Sequence, residues 1–208
     1  MGSDQLAEES DQPNRSLSAG NPGYARTSKI RAFFGLPLPE AQRATLDGYL
    51  AECARLAPQF RWVPNANLHL TIRFLGHVDS SVAEQIADRL VAADLLSFDL
   101  RLGEIGSCNR GRLARVVWLG IAEGVAESQE LATTVESECV RAGLEPETRA
   151  FSPHLTLARA RARDGSPLPE LPAAPSIEAW RANKLILYQS RLARAGAVYE
   201  PLRTIKLR

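Results

Sequence analysis

"NLHLTIRFLG", Asn67 to Gly76, alternates apolar and polar residues. A strand turns successive side chains to opposite faces, so Leu70, Ile72 and Phe74 are expected to enter a core while His69, Thr71 and Arg73 line the other side. A single polar face of this kind says little, because any half-buried strand has one. The chain, however, carries the phrase twice. In "FSPHLTLAR", Phe151 to Arg159, His154 and Thr156 again share a face opposite Leu155 and Leu157. With only three histidines in 208 residues, two of them open the same H-L-T phrase.

The flanking pattern repeats as well. "IRAFFGLPL" reads as a strand, followed by a helix from Pro39 to Leu56 with Leu46, Leu50 and Cys53 at helical spacing, and then the first H-x-T strand. "DSSVAEQIADRLVAAD" reads as a helix capped by Ser80 or Ser81, followed by the strand "FDLRLGEI". The order then restarts with the strand "ARVVWLGIA", the helix "VAESQELATTVESECVRAG" stopped by Gly143, and the second H-x-T strand. Arg31 precedes His69 by 38 positions and Arg115 precedes His154 by 39, which describes a pseudo-repeat of about 85 residues. Strands at Lys184–Ser190 and beyond Gly196 complete the chain. The expected fold is α+β: a bilobal, pseudo-two-fold duplication with two antiparallel sheets flanking a groove and helices outside. The two His/Thr faces would look at each other across that groove.

Composition narrows the function classes. At 45% hydrophobic residues the chain is able to bury a substantial core, and no apolar run is long enough to span a membrane. No signal-peptide pattern opens it, and the expectation is a cytoplasmic monomer without membrane contact. Cys53, Cys108 and Cys139 are isolated from one another and from histidine, so neither a disulfide framework nor a zinc site is indicated. A formal charge of +1 excludes a wholly basic nucleic-acid coat but not a local basic site. Residues 1–28 are polar and almost without large aliphatics, and are expected to form a disordered extension ahead of a domain spanning 29–208. "RARDGSPLPELPAAPS", from Arg161, reads as a surface loop, and Trp62 and Trp118 as core packing.

Two imidazoles and two hydroxyls around one cleft suit a reaction that needs an acid and a base together near neutral pH. Phosphodiester hydrolysis is such a reaction: water loses a proton to attack phosphorus, and the departing sugar oxygen gains one. Threonine hydroxyls are suited to holding the non-bridging oxygens. No H-E-x-x-H motif, carboxylate cluster or G-x-S-x-G elbow supports a metal or serine mechanism, and no cofactor is expected.

"RAFFGLPLPE", "RWVPNANLHLTIRFLG", "ARVVWLG", "FSPHLTLAR" and "LILYQSRL…AGAVYEPL", in this order and spacing, resemble the 2H phosphoesterase superfamily. More narrowly, they are similar to its RNA 2',3'-cyclic phosphodiesterases, also called 2'-5' RNA ligases. The resemblance runs from Arg31 to the C-terminus, while "GEIGSCNRGRLARV" departs from the family's Phe-Pro-containing segment. It implies a bilobal fold and metal-independent opening of a terminal 2',3'-cyclic phosphate to a 2'-phosphate, with reverse 2'-5' ligation as a further capacity. His69 matches the histidine that protonates the leaving 3'-oxygen, His154 the one that activates water, and Thr71 and Thr156 the phosphate-binding threonines. The implied partners are RNA ends or nucleotides carrying a 2',3'-cyclic phosphate.

Three more residues are candidates for substrate binding. Arg159 matches a family arginine that steers the nucleotide, although strict alternation from His154 sends it to the opposite face unless the strand ends or bulges. Phe34 stands where the family has an aromatic beside the base, and one of Phe33 and Phe34 must be core. Arg73, on the His69 face, is available to attract phosphate. Two other readings fit the same groups: a small-molecule cyclic phosphodiesterase acting on ADP-ribose cyclic phosphate, and a non-catalytic 2'-phosphate or 2'-5' nucleotide binding module.

Overall fold

The computed structural model describes residues 28–193 and 196–208, so the N-terminal extension apart from Ser28 lies outside the described residues. The order is β1 (Lys29–Pro37), α1 (Glu40–Leu56), β2 (Phe60–Trp62), a 3-10 turn (Asn65–Asn67), β3 (His69–Asp79), α2 (Ser80–Ala92), β4 (Phe98–Arg110) and β5 (Leu113–Glu123). There follow α3 (Val125–Arg141), β6 (Leu155–Ala160), β7 (Trp180–Ala182), β8 (Lys184–Ala193) and β9 (Gly196–Lys206). The strands pair antiparallel throughout, giving the expected α+β architecture.

Strand order is β7-β4-β5-β6-β3-β1-β8-β9, with β2 paired beside β6. The path is continuous where two separate sheets were expected, but its middle is narrow. β3 and β6, the two H-x-T strands, touch at one register pair, Leu70 with Leu155. Elsewhere the pairing is extensive, as in the β8–β9 hairpin from Lys184/Lys206 to Ala193/Gly196. β2 and β7 are three-residue strands too short to show a period in the sequence.

The helices follow from their apolar stripes, and their ends differ in quality. α3 stops where Gly143 takes φ +89°, with Gly143 N–H donating to the Val140 carbonyl at 2.9 Å and Leu144 N–H to that of Cys139 at 3.0 Å. This left-handed closure is the stop that Gly143 supplies without Cβ strain. At the start of α2 the cap position is Asp79, not Ser80 or Ser81, and no side chain caps it.

α2 packs on β3, which it follows, but α1 and α3 bury their stripes against strands of the other repeat. Leu46, Tyr49, Leu50 and Cys53 of α1 pack with Leu102, Leu119, Leu155 and Leu157, which belong to β4, β5 and β6. Leu131, Val135 and Cys139 of α3 join Ile86 and Leu90 of α2 over Phe34, Leu36, Leu70, Ile72, Leu185 and Leu187. Each repeat thus lends its helix to the strands of the other. No described helix is long and apolar enough to cross a membrane.

Candidate active site

Across an antiparallel pair, directly opposed residues point to the same face. Leu70 and Leu155 are opposed and both buried at the helix side. One step along each strand, His69 falls opposite Thr156, and Thr71 opposite His154, on the other face. The two phrases therefore meet tail to tail at the seam, and the four expected groups share one surface.

The imidazoles are oriented alike. His69 Nδ1 lies 2.7 Å from the Asn67 carbonyl and His154 Nδ1 lies 2.8 Å from the Ser152 carbonyl, in each case two residues upstream. A carbonyl only accepts, so Nδ1 carries the proton in both rings, and each Nε2 is the atom left to exchange protons. His69 Nε2 is 3.0 Å from the Thr71 hydroxyl, which donates to it when the ring is neutral and accepts from it when the ring is charged.

Their surroundings differ. His69 lies against Phe33 at 4.7 Å between ring centroids, Tyr199 at 5.1 Å and Tyr188 at 6.1 Å. Burial holds its pKa below the ordinary histidine value, the Asn67 carbonyl opposes that shift, and the Arg159 guanidinium adds to it. His154 has Trp118 at 6.1 Å. Trp118 is the cross-strand partner of Thr156 and so belongs to the site face. Its indole lies flush on Gly106, where a Cβ would come within 2.4 Å of the ring. Trp62, by contrast, packs against the core as expected, its indole N–H donating to the Ala57 carbonyl at 3.1 Å.

Two bulges decide the remaining positions. In β3 the register passes from Phe34/Arg73 to Gly35/Thr71, leaving Ile72 unpaired. One unpaired residue reverses the face of everything beyond it. Arg73 therefore leaves the His69 face, contrary to the sequence expectation. It makes a salt bridge to Glu136 of α3 and donates to the Glu145 carbonyl at 2.8 Å. Phe74 moves the other way: expected in the core, it is 46% exposed on the site side, 5.6 Å from the Phe33 ring. Phe34 is fully buried among α2 and α3 residues, so the aromatic beside the site is its neighbour Phe33.

The same device operates in β6. The register with β5 passes from Val117/Ala158 to Trp118/Thr156, leaving Leu157 unpaired. Arg159 is thereby returned to the His154 face, close enough for its charge to act on His69. Each bulge sits three residues after its histidine, and each brings out a side chain five residues after it: Phe74 in one phrase, Arg159 in the other. Sequence reasoning missed Phe33, Phe74 and Trp118, since nothing in an apolar run marks which ring a bulge will turn outward.

A phosphoesterase family model, described as "LigT like Phosphoesterase", matches the chain twice in tandem, at residues 36–118 and 119–199, in keeping with the internal repeat. The chain is 32% identical over 149 residues to an RNA 2',3'-cyclic phosphodiesterase of Aeropyrum pernix, covering 69% of this chain and 84% of that protein. It is also 32% identical over 176 residues to the Escherichia coli protein of the same name, covering 83% and 94%. The crystal structure of Escherichia coli LigT complexed with 3'-AMP superimposes with a TM-score of 0.76 at 29% identity, covering 86% of this chain and 99% of that one. With the family pattern matched over most of its length, and both H-x-T phrases inside the matched segments, the chain belongs to the LigT-like phosphoesterases.

Proposed function

We propose that this protein is an RNA 2',3'-cyclic phosphodiesterase that opens a terminal 2',3'-cyclic phosphate to a 2'-phosphate by acid–base catalysis. The observation that carries the reading is the matched pinning of two imidazoles, each with Nδ1 on a backbone carbonyl, which leaves Nε2 as the atom able to exchange protons. The names of the relatives support it.

In this scheme His154 Nε2 takes a proton from water as the water oxygen bonds to phosphorus. The bond from phosphorus to the 3'-oxygen breaks, and His69 Nε2 supplies the proton to that oxygen. Thr71 and Thr156 donate to the non-bridging oxygens, and Arg159 offsets the charge that develops on them. Both proton transfers are covered by the two rings, so the scheme calls on no metal. The depressed pKa of free His69 favours its neutral form, so its role as acid depends on the bound phosphodiester. An anion placed against Nε2 favours the imidazolium and raises the pKa back. Phe74, exposed beside Phe33, provides a face on which the terminal base stacks.

The test is incubation with an RNA ending in a 2',3'-cyclic phosphate, in EDTA, with identification of the product. A 2'-phosphate end formed at an undiminished rate is expected. A 3'-phosphate product, or activity that vanishes in EDTA and returns with a divalent ion, would overturn the scheme.

A further inference from the structure

Next to the site lies a second concavity in which five of the nine lining residues are arginines. Arg115, Arg149, Arg159, Arg161 and Arg163 line it together with Cys108. For a chain of net charge +1 this is a strong local concentration. No carboxylate lines it, and the nearby ones offset only part of its charge: Glu147 pairs with Arg149 at 3.6 Å, and Asp164 is engaged by Arg110 at 3.0 Å. Arg115, Arg159 and Arg163 have no carboxylate partner among the described residues.

The pocket continues the catalytic surface. Cys108, Val116 and Arg159 are opposed across β4, β5 and β6 and so share a face. β5 pairs regularly with β4 from Val116 to Trp118, which puts Val116 on the Trp118 face, one pleat away, about 7 Å at the usual strand rise. Trp118 and Thr156 form the catalytic row, and Cys108, Val116 and Arg159 form the next. Arg149 arrives from the segment before β6, and Arg161 and Arg163 from the segment after it. The hairpin that supplies Cys108 and Arg115 lies within "GEIGSCNRGRLARV".

We propose that this pocket holds the phosphodiester backbone of an RNA strand on the 5' side of the nucleotide in the catalytic site. The proposal rests on the cyclic phosphodiesterase reading and adds to it where the rest of the substrate lies. An RNA with a terminal cyclic phosphate has all its other phosphates on that side. One pleat is a step comparable to that between successive phosphates of an extended strand. Guanidinium groups pair with phosphate through parallel N–H donors. Their distribution over three segments suits a flexible chain better than a single compact anion.

The test compares the wild type with the triple variant Arg115→Gln, Arg149→Gln, Arg163→Gln. Arg159 is left in place as part of the catalytic surface, and Arg161 because it donates to the Pro58 carbonyl. The substrates are a tetraribonucleotide ending in 2',3'-cyclic phosphate, adenosine 2',3'-cyclic phosphate and ADP-ribose cyclic phosphate. The variant is expected to raise KM for the tetranucleotide about tenfold or more, since its phosphates are held less tightly whatever the bases. The dependence of log KM on log salt should flatten by about 2, roughly 0.7 for each single-strand phosphate no longer neutralised. Turnover of adenosine 2',3'-cyclic phosphate should not change, which also shows that the variant is folded.

Cys108 is the exposed cysteine, Cys53 and Cys139 being buried, so in the wild type a bound tetranucleotide ending in 2'-phosphate should slow its alkylation whereas 2'-AMP should not. Equal effects on all three substrates, an unchanged tetranucleotide KM, or an effect confined to ADP-ribose cyclic phosphate would overturn the proposal. If the wild type opens no cyclic phosphate, the proposed function fails, and Cys108 protection still decides the subsite.

Discussion

His69 and His154 are held by the same backbone device but in unlike surroundings, and acid–base chemistry is sensitive to the difference. With its pKa lowered, His69 in the free enzyme gives up its proton as pH rises through a value below about 6.5. If it is the acid, kcat/KM should fall on the alkaline side of that value, while the corresponding limb of kcat, which reports the complex, should lie at higher pH. Proton NMR of the His69 ring, free and with 2'-AMP, would check the shift directly, and a ring that titrates at or above 6.5 in the free protein would contradict it. Thr71→Ala and Thr156→Ala should each slow turnover about 10- to 1,000-fold, the usual cost of losing one preorganised donor. Wild-type kcat in the double variant would reduce both residues to strand formers. These four residues are legible in the sequence because alternation fixes a face reliably over the two steps from His to Thr. Phe33 and Phe34 are not separable in the same way, as both are apolar and only the partner strands say which of them lies under helices.

At the scale of an element, the bulges at Ile72 and Leu157 do what the hydrophobic pattern does not reveal. A bulge is a mismatch between two strands, so a single strand read alone carries no sign of it. For that reason alternation alone puts both Arg73 and Arg159 on the wrong face. The consequence is testable as a separation of stability from binding. Glu136 accepts from Arg73 and also from the Glu147 backbone N–H at 2.8 Å, so the pair ties α3 and the segment leading to His154 onto β3. Arg73→Ala should cost about 1.5–3 kcal/mol of stability, the range for charged hydrogen bonds, read as a lower midpoint in urea. Phe34→Ala should cost about 3–5 kcal/mol as a fully buried ring. Phe74→Ala, on the surface, should stay within about 0.5 kcal/mol while raising KM for the cyclic phosphate substrate. A Phe74 variant with normal KM and lowered stability would return that ring to the core.

Over the whole molecule, the duplication is visible in the order of elements and in the matching intervals before each histidine. The exchange of helices between the repeats is not, because the stripe on a helix says that it is covered and not by what. Since α1 completes the core over β4, β5 and β6 while α3 completes that over β1 and β3, neither repeat holds all of its own interior. Unfolding by urea should therefore give one transition, with fluorescence and far-ultraviolet circular dichroism superimposing. Two resolved steps would mean that the halves are separately stable.

Leu70 and Leu155 are backbone neighbours at the seam, yet Leu70 is rooted under α2 and α3, and Leu155 under α1. A change of volume in either interior is thus transmitted through one peptide pairing to the gap that the attacking water and the leaving oxygen must share. Catalytic spacing becomes something the two interiors negotiate between them. A Leu70→Ala or Leu155→Ala enzyme keeps every reacting group and still binds phosphate, and its loss should appear in kcat, with a different residual rate for each side of the seam.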